Sequence, residues 1–311
     1  MRSSEFFHTA SDGKAIFVRH WLPETKPKAL ILMAHGMAEH GGRYARFAET
    51  LTASGYALYM PDHRGHGKTA ATPAELGYLA DAGGFRRVID DLHEIGLEAR
   101  KSFPGLPLFL FGHSLGSLLS QGYIRLYGEE LAGCALSGTA GPMAPALALG
   151  GKLVAGVGAA CKGRKAPAFL ANKMSFGSFN DAFKPSRTAF DWLSRDQAEV
   201  DKYIADPLCG FVCSYGFFQD LLAGLAASQS ETAMASIPKT LPIYMASGAK
   251  DPVGGGTGSV TALAKTYRAL GIREVEDRLY PDCRHEILNE TNRAEVTADF
   301  LLWFDRHCSR N

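Results

Sequence analysis

Four apolar residues, Leu108-Phe109-Leu110-Phe111, run straight into Gly112-His113-Ser114-Leu115-Gly116. A helix-period segment carrying Leu118, Leu119, Tyr123, Ile124 and Leu126 follows, closed by Gly128. No other stretch constrains the fold as tightly. A short run that is apolar at every position belongs to a strand buried on both faces, the habit of parallel sheets packed between helices. The turn that follows leaves a G-x-S-x-G between strand and helix. In that setting a serine is forced into strained backbone angles and its Oγ is presented over the strand end. The flanking glycines let the chain close up around it. Gly and Ser are common in this chain, so the bare pattern decides little. The strand before it and the helix after it are what mark Ser114 as a nucleophile.

The same rhythm extends in both directions. Residues 6–9 and 15–21 read as strands around the turn Ser11-Asp12-Gly13-Lys14. Residues 29–34 form a continuous apolar run. A helix with Tyr44, Phe47, Ala48 and Leu51 follows, with Gly55 as its stop. Next come a strand at 56–60, a helix with Phe85, Val88, Ile89, Leu92 and Ile95, and a strand at 132–136. Alternation of this kind predicts a mostly parallel sheet with helices on both faces.

From 141 to 236 the rhythm breaks into helical, apolar sequence with short amphipathic pieces at 186–193 and 216–225. It resumes with a strand at 241–247, a helix at 260–270, a strand at 274–280 and a last helix at 295–304. A core pattern that continues after the break argues an insertion. The expected organisation is a first core part at 1–140, a helical cap or lid at 141–236 and a second core part at 237–311, with the cap over the carboxyl ends of the strands. Residues 143–161 are almost wholly small or apolar, but Lys152 lies at their centre and no aromatic belt flanks them. That argues against a membrane span and for a loosely packed apolar helix pair near a substrate entrance.

The charge balance, 33 basic against 32 acidic residues, leaves no electrostatic footprint for nucleic acid and no polybasic membrane patch. The N-terminus has no apolar stretch of the signal-peptide kind. Six cysteines without a C-x-x-C read as free buried thiols in a reducing cytoplasm. Cys209-x-x-x-Cys213 lacks the further ligands of a metal site, so no metal is expected. Gly65-His66-Gly67-Lys68-Thr69 imitates a phosphate loop, but Asp62 stands where that loop needs its first glycine, so nucleotide binding is rejected. The glycine run 254–258 reads as a flexible loop.

A serine hydroxyl attacks only when a base takes its proton, and an acid must hold that base in one tautomer. After an elbow of this kind the acid comes next in the chain and the histidine last. Asp251 follows the strand 241–247 directly, and His285 follows the strand 274–280. Asp282 is a rival acid, better suited to shaping the turn. His307, at the end of the last helix, reads as a solvated surface residue. Oxyanion donors are expected at the backbone N–H of Leu115, next to the nucleophile, and of Met37, in the loop His35-Gly36-Met37-Ala38-Glu39-His40. Glu39 and His40 either brace that loop or are ordinary exposed polar residues.

With these residues in place the chain resembles the α/β-hydrolase superfamily over nearly its whole length. It is most similar to the serine aminopeptidase-like branch that contains monoacylglycerol lipases and bacterial lysophospholipases. The segments that carry this are 35–40, Asp62-His63-Arg64-Gly65-His66-Gly67, 112–116, Asp206-Pro207-Leu208-Cys209 and 284–290. The resemblance implies Ser114, Asp251 and His285 as the triad, Met37 and Leu115 as oxyanion donors, a cap over an apolar acyl pocket, and no metal or organic cofactor. Met37 departs from the small residue often found there, and the cap matches least. The expected activity is hydrolysis of carboxylic esters with an apolar acyl chain, of monoacylglycerol or lysophospholipid type, through an acyl-enzyme. The expected partner is a small, lipid-like ester, with room for transient contact of the cap with a membrane surface. A small-ester carboxylesterase, a serine aminopeptidase and an inactive ligand-binding homologue are the alternatives.

Overall fold

In the computed structural model, which describes residues 1–308, the chain forms one eight-stranded sheet. The strands are β1 (Arg2–Thr9), β2 (Ala15–Leu22), β3 (Ala29–Ala34), β4 (Tyr56–Pro61), β5 (Leu108–His113), β6 (Gly133–Ser137), β7 (Ile243–Gly248) and β8 (Val275–Tyr280). Their order is β1-β2-β4-β3-β5-β6-β7-β8, with β2 antiparallel to both its neighbours, β1 and β4, and every other pairing parallel. The helices are α1 (Ala45–Ala53), α2 (Gly84–Ser102), α3 (Leu115–Tyr127), α4 (Pro145–Lys162), α5 (Phe169–Phe176), α6 (Gln197–Ala205), α7 (Tyr215–Ser228), α8 (Glu231–Ala235), α9 (Thr257–Ala269) and α10 (Arg293–Cys308).

The all-apolar strands are explained by two cores. Successive side chains of a strand point to opposite faces. In β3, Leu30, Leu32 and Ala34 enter one cluster, and Ala29, Ile31 and Met33 the other. β5 divides in the same way, Leu108 and Leu110 against Phe109 and Phe111. Helices α2, α3 and α9 cover the first face; α1 and α10 cover the second with Phe47, Phe300, Trp303 and Phe304. Each such side chain contributes roughly 1.5–3 kcal/mol on burial.

After β3 the chain steps to one side, to β4, and then returns to place β5 on the other. A crevice opens outside the strand ends at such a reversal, and ligands bind there. The loops at 35–40 and at Ser114 border it.

Several expectations need correction. The stretch 143–161 holds a single helix, α4, from Pro145 onward, and not a helix pair. It packs along α7 through small residues: a Cβ on Gly151 would touch Leu222 at 3.1 Å, and one on Gly158 would meet Tyr215 at 2.0 Å. Of 186–193 only Asp191–Leu193 makes a helical turn. The glycine run is partly helical, in a 3-10 turn at Val253–Gly255 and the first turn of α9. Within the interrupted segment α7 packs on α2 and α3, in the layer that covers the sheet. The six cysteines are free, but Cys161 is exposed and only Cys134, Cys213 and Cys283 are buried.

Candidate active site

Ser114 sits between β5 and α3 with φ of +53°, in the left-handed region that costs a residue with a Cβ conformational energy. Two close approaches enforce it. A Cβ on Gly116 would stand 2.0 Å from the Ala34 carbonyl oxygen, and one on Gly112 would stand 2.4 Å from that of Gly116. The Ser114 amide donates to the Ser137 carbonyl at 2.9 Å, and its own carbonyl accepts from Ser117 Oγ at 2.6 Å. The backbone is therefore held on both sides while the side chain lines a cavity of about 420 Å³.

His285 lines the same cavity. Its Nδ1 lies 2.9 Å from Asp251 Oδ2. An ionised carboxylate only accepts, so Nδ1 carries the proton and Nε2 is left as the basic nitrogen. Asp251 also accepts from Ser247 Oγ at 3.1 Å and from the Val253 amide at 2.9 Å. Burial pulls the His285 imidazolium down. The Asp251 carboxylate, by charge and hydrogen bond, with Glu286 and Glu39 behind it, outweighs burial and leaves the group above its ordinary value. Asp282, with φ of +62°, shapes the turn and pairs with Lys250 at 2.7 Å.

His307 overturns its expected solvated position. It is buried, donates from Nδ1 to the Trp303 carbonyl at 2.7 Å and packs on the Trp303 ring at 4.6 Å. An imidazole in a last helical turn can satisfy its own helix's carbonyl, and the indole completes its cover.

The loop 35–40 is braced by buried charge. Glu39 Oε1 accepts from the Gly36 amide at 2.5 Å and from Tyr44 Oη at 2.7 Å. Arg43 joins Glu39 to Glu286, gripping the latter at 2.7 and 2.8 Å. Burial alone would raise the Glu286 carboxyl, but the Arg43 guanidinium brings it down to about 2. Ala38, at φ of +53°, offers its carbonyl to Tyr203 Oη at 3.0 Å and to the Gly210 amide at 2.9 Å. His40 Nε2 lies 2.9 Å from Asp206 Oδ2. Of the two readings of Glu39 and His40, the bracing one fits. Met37 lines the cavity, and Leu115 heads α3, where the first amides have no partner within the helix.

One group of metal-type ligands, His40, Asp206 and Cys209, lies within 4.8 Å. It suits a cation poorly. His40 Nδ1 accepts from the Gly42 amide at 3.1 Å, so Nε2 holds the proton given to Asp206. Burial also pushes the Cys209 thiol up, away from thiolate. At the phosphate-loop mimic, Asp62 accepts from the amides of Gly41 and Lys68, the opposite of an anion cradle.

The cavity wall is what sequence reading missed. Phe176, Phe190, Trp192, Leu193, Tyr203 and Phe211 form it. Leu147 and Val154 of α4 do not line it. Trp192 and Leu193 also pin the His285 backbone: their carbonyls accept from the amides of His285 at 3.3 Å and Glu286 at 2.7 Å. The Trp192 ring lies 5.1 Å from the imidazole. The His113 ring also packs on the imidazole at 4.9 Å, and burial, helped by the charge of His285, brings His113 down to about 4. The density of Phe and Trp across 176–192 was the available signal.

Comparison with known proteins follows the same geometry. The model of the family described as serine aminopeptidase, S33, matches residues 25–292. A monoacylglycerol lipase of Mycolicibacterium smegmatis is 29% identical over 311 residues, 98% of each chain. The human monoglyceride lipase is 28% identical over 300 residues, covering 91% of this chain and 87% of that one. Among solved structures, a thermostable carboxyl esterase from Bacillus coagulans in complex with glycerol superposes with a TM-score of 0.90 at 26% identity, over 99% of both chains.

Proposed function

The chain belongs to the serine aminopeptidase S33 family of α/β-hydrolases, and on that premise we propose that it is a serine esterase for carboxylic esters with an apolar acyl chain, of monoacylglycerol or lysophospholipid type. The observation that carries the reading is the Asp251–His285 hydrogen bond at 2.9 Å, on the cavity that also exposes Ser114 at its strained elbow.

Ser114 Oγ attacks the ester carbonyl as His285 Nε2 takes its proton. Asp251 holds the imidazole in the required tautomer and stabilises the imidazolium. The tetrahedral oxyanion is received by the amides of Leu115 and Met37. Collapse expels the alcohol, which takes the proton back from His285. Water, activated by the same histidine, then frees the acid and restores the serine. No step calls for a cofactor.

Residues 141–236 act as the cap. The part at 172–211 supplies the wall that meets the acyl chain, and α7 seats the cap on the sheet. An aromatic, branched wall suits methylenes, each worth roughly 0.8 kcal/mol when buried. Names among the relatives support a lipid ester. The mouth of the cavity is taken to meet its substrate at a lipid surface, in the cytoplasm.

The test is a chain-length series of p-nitrophenyl esters run beside monoacylglycerols and amino-acid p-nitroanilides. The proposal expects KM to fall steadily from acetyl to about octanoyl, roughly fourfold per methylene at most. Best turnover on acetyl or butyryl esters, or on the anilides, would replace it with the small-ester or aminopeptidase reading.

A further inference from the structure

The helical turn Asp191–Leu193 is fastened to the segment that carries the base. Three successive carbonyls accept from three successive residues. That of Asp191 takes the Arg284 guanidinium, that of Trp192 the His285 amide, and that of Leu193 the Glu286 amide. The Trp192 amide in turn donates to Asn180 Oδ1 at 2.8 Å. The backbones of Trp192 and His285 are thus fixed to each other, and the two rings meet. The indole lies 5.1 Å from the imidazole with 37° between the planes. Phe176 and Phe179 pack on the indole at 6.1 and 4.9 Å. Phe190 and Phe211 line the same cavity but make no ring contact with His285.

His285 needs such a neighbour at one moment of the reaction. It is only 2% exposed, so the proton taken from Ser114 creates a cation that water hardly touches. Asp251 answers that charge at Nδ1. The other acids behind the ring, Glu286 and Glu39, already share Arg43. His113 packs on the imidazole at 4.9 Å, but burial brings it down to about 4, so it stays neutral and adds no charge. At Gly138 a Cβ would stand 2.9 Å from His285 Cε1, so backbone closes that approach. The indole is different. The face of an aromatic ring is negative, and among aromatic side chains that of Trp attracts a cation most strongly. It gains more from the charged imidazole than from the neutral one.

We propose that Trp192 is a positioning residue of the reaction, which holds the His285 ring and steadies the imidazolium formed when Ser114 gives up its proton. The inference rests on the triad reading, and part of its test needs no turnover. Wild type, Trp192→Phe and Trp192→Met are compared on p-nitrophenyl acetate, whose acyl chain makes least use of the aromatic wall. Without the indole the imidazolium is easier to deprotonate, so the pH midpoint of kcat/KM should fall. The expected fall is roughly 0.7 of a pH unit in Trp192→Met, with a plateau about fivefold lower, and about half that shift in Trp192→Phe. Ring-nitrogen NMR titration of His285, identified by the signals missing in His285→Asn, should show the same order of midpoints without substrate. Loss of acyl wall alone would lower turnover and leave both midpoints where they are, and that result overturns the inference. If Trp192→Met does not fold, Trp192→Phe decides alone, and an unmoved midpoint overturns it. Shifted NMR midpoints in a protein without esterase activity would instead overturn the hydrolase reading and leave the ring contact standing.

Discussion

Helices α3 and α4 precede and follow β6 in the chain, and both are rich in small and apolar residues. Nine of the 13 residues of α3 are buried, but only one of the 18 of α4, Ala155. The first helix packs on the sheet, on α2 and on α7; the second packs on α7 along one seam and touches α5, and its other face is exposed. Apolar character is therefore spent in two ways. In α3 it fixes a strained serine against the sheet. In α4 it forms an outer surface. Ser114, on the cavity, belongs to the first regime, and α4, away from it, to the second.

The sharpest test of this contrast sits at the head of α3. Ser114→Ala should fold normally and lose turnover by about 10⁴-fold or more, as should His285→Ala, whereas His307→Ala should stay active. A fluorophosphonate should label wild type at Ser114 alone, and mass mapping of the adduct reads this directly. Retention of a hundredth of the activity by Ser114→Ala would break the assignment.

Stability should separate the helices next. Leu119→Ala, at a site 1% exposed, should cost about 2–5 kcal/mol in urea unfolding. Leu153→Ala should stay within about 0.5 kcal/mol. Equal losses would mean that α4 is a core helix after all.

A smaller effect concerns pH. The base must be neutral to take the serine proton, so kcat/KM should rise with pH through the His285 titration. Because the group is held above its ordinary value, that rise should be centred above about 6.5. The same shift stabilises the fold at pH below the unfolded value and is lost as pH climbs through the folded one. Asp251→Asn should move the midpoint of any residual activity downward. A midpoint below 6.5 in wild type would remove Asp251 as the partner.

The mildest change is expected in the wall. Phe176→Ala and Phe190→Ala should flatten the acyl-length series, a few-fold per step, with acetyl esters little altered. Charges placed at Leu147 or Val154 of α4 should leave the series as it is, since neither side chain reaches the cavity.

Much of the site was readable in one dimension because its signals are local. A run apolar at each of Leu108 to Phe111 can only be a strand covered on both sides. The glycines around Ser114 are close enough in sequence to define the turn. Asp251 and His285, whose side chains the structure brings to 2.9 Å, were picked out from their places after strands, which depends on no contact. The bracing of the loop at 35–40 was legible only as two alternatives for Glu39 and His40. Arg43, Glu286, Tyr203 and Trp192 were not legible at all.

What the sequence determined by itself is periodicity: which residues face together along a strand or helix, where the chain must turn, and which serine stands at the turn. Tertiary structure decided what covers each face. Arg43 meets Glu286 across 243 residues, and Tyr203 reaches Ala38 across 165. His307 is buried because Trp303 and Glu274, just ahead of β8, meet it, and Leu153 is exposed because nothing among the described residues comes back over that side of α4. Local pattern is set by neighbours a few bonds away, whereas burial and charge pairing are set by whichever distant segment the chain brings alongside.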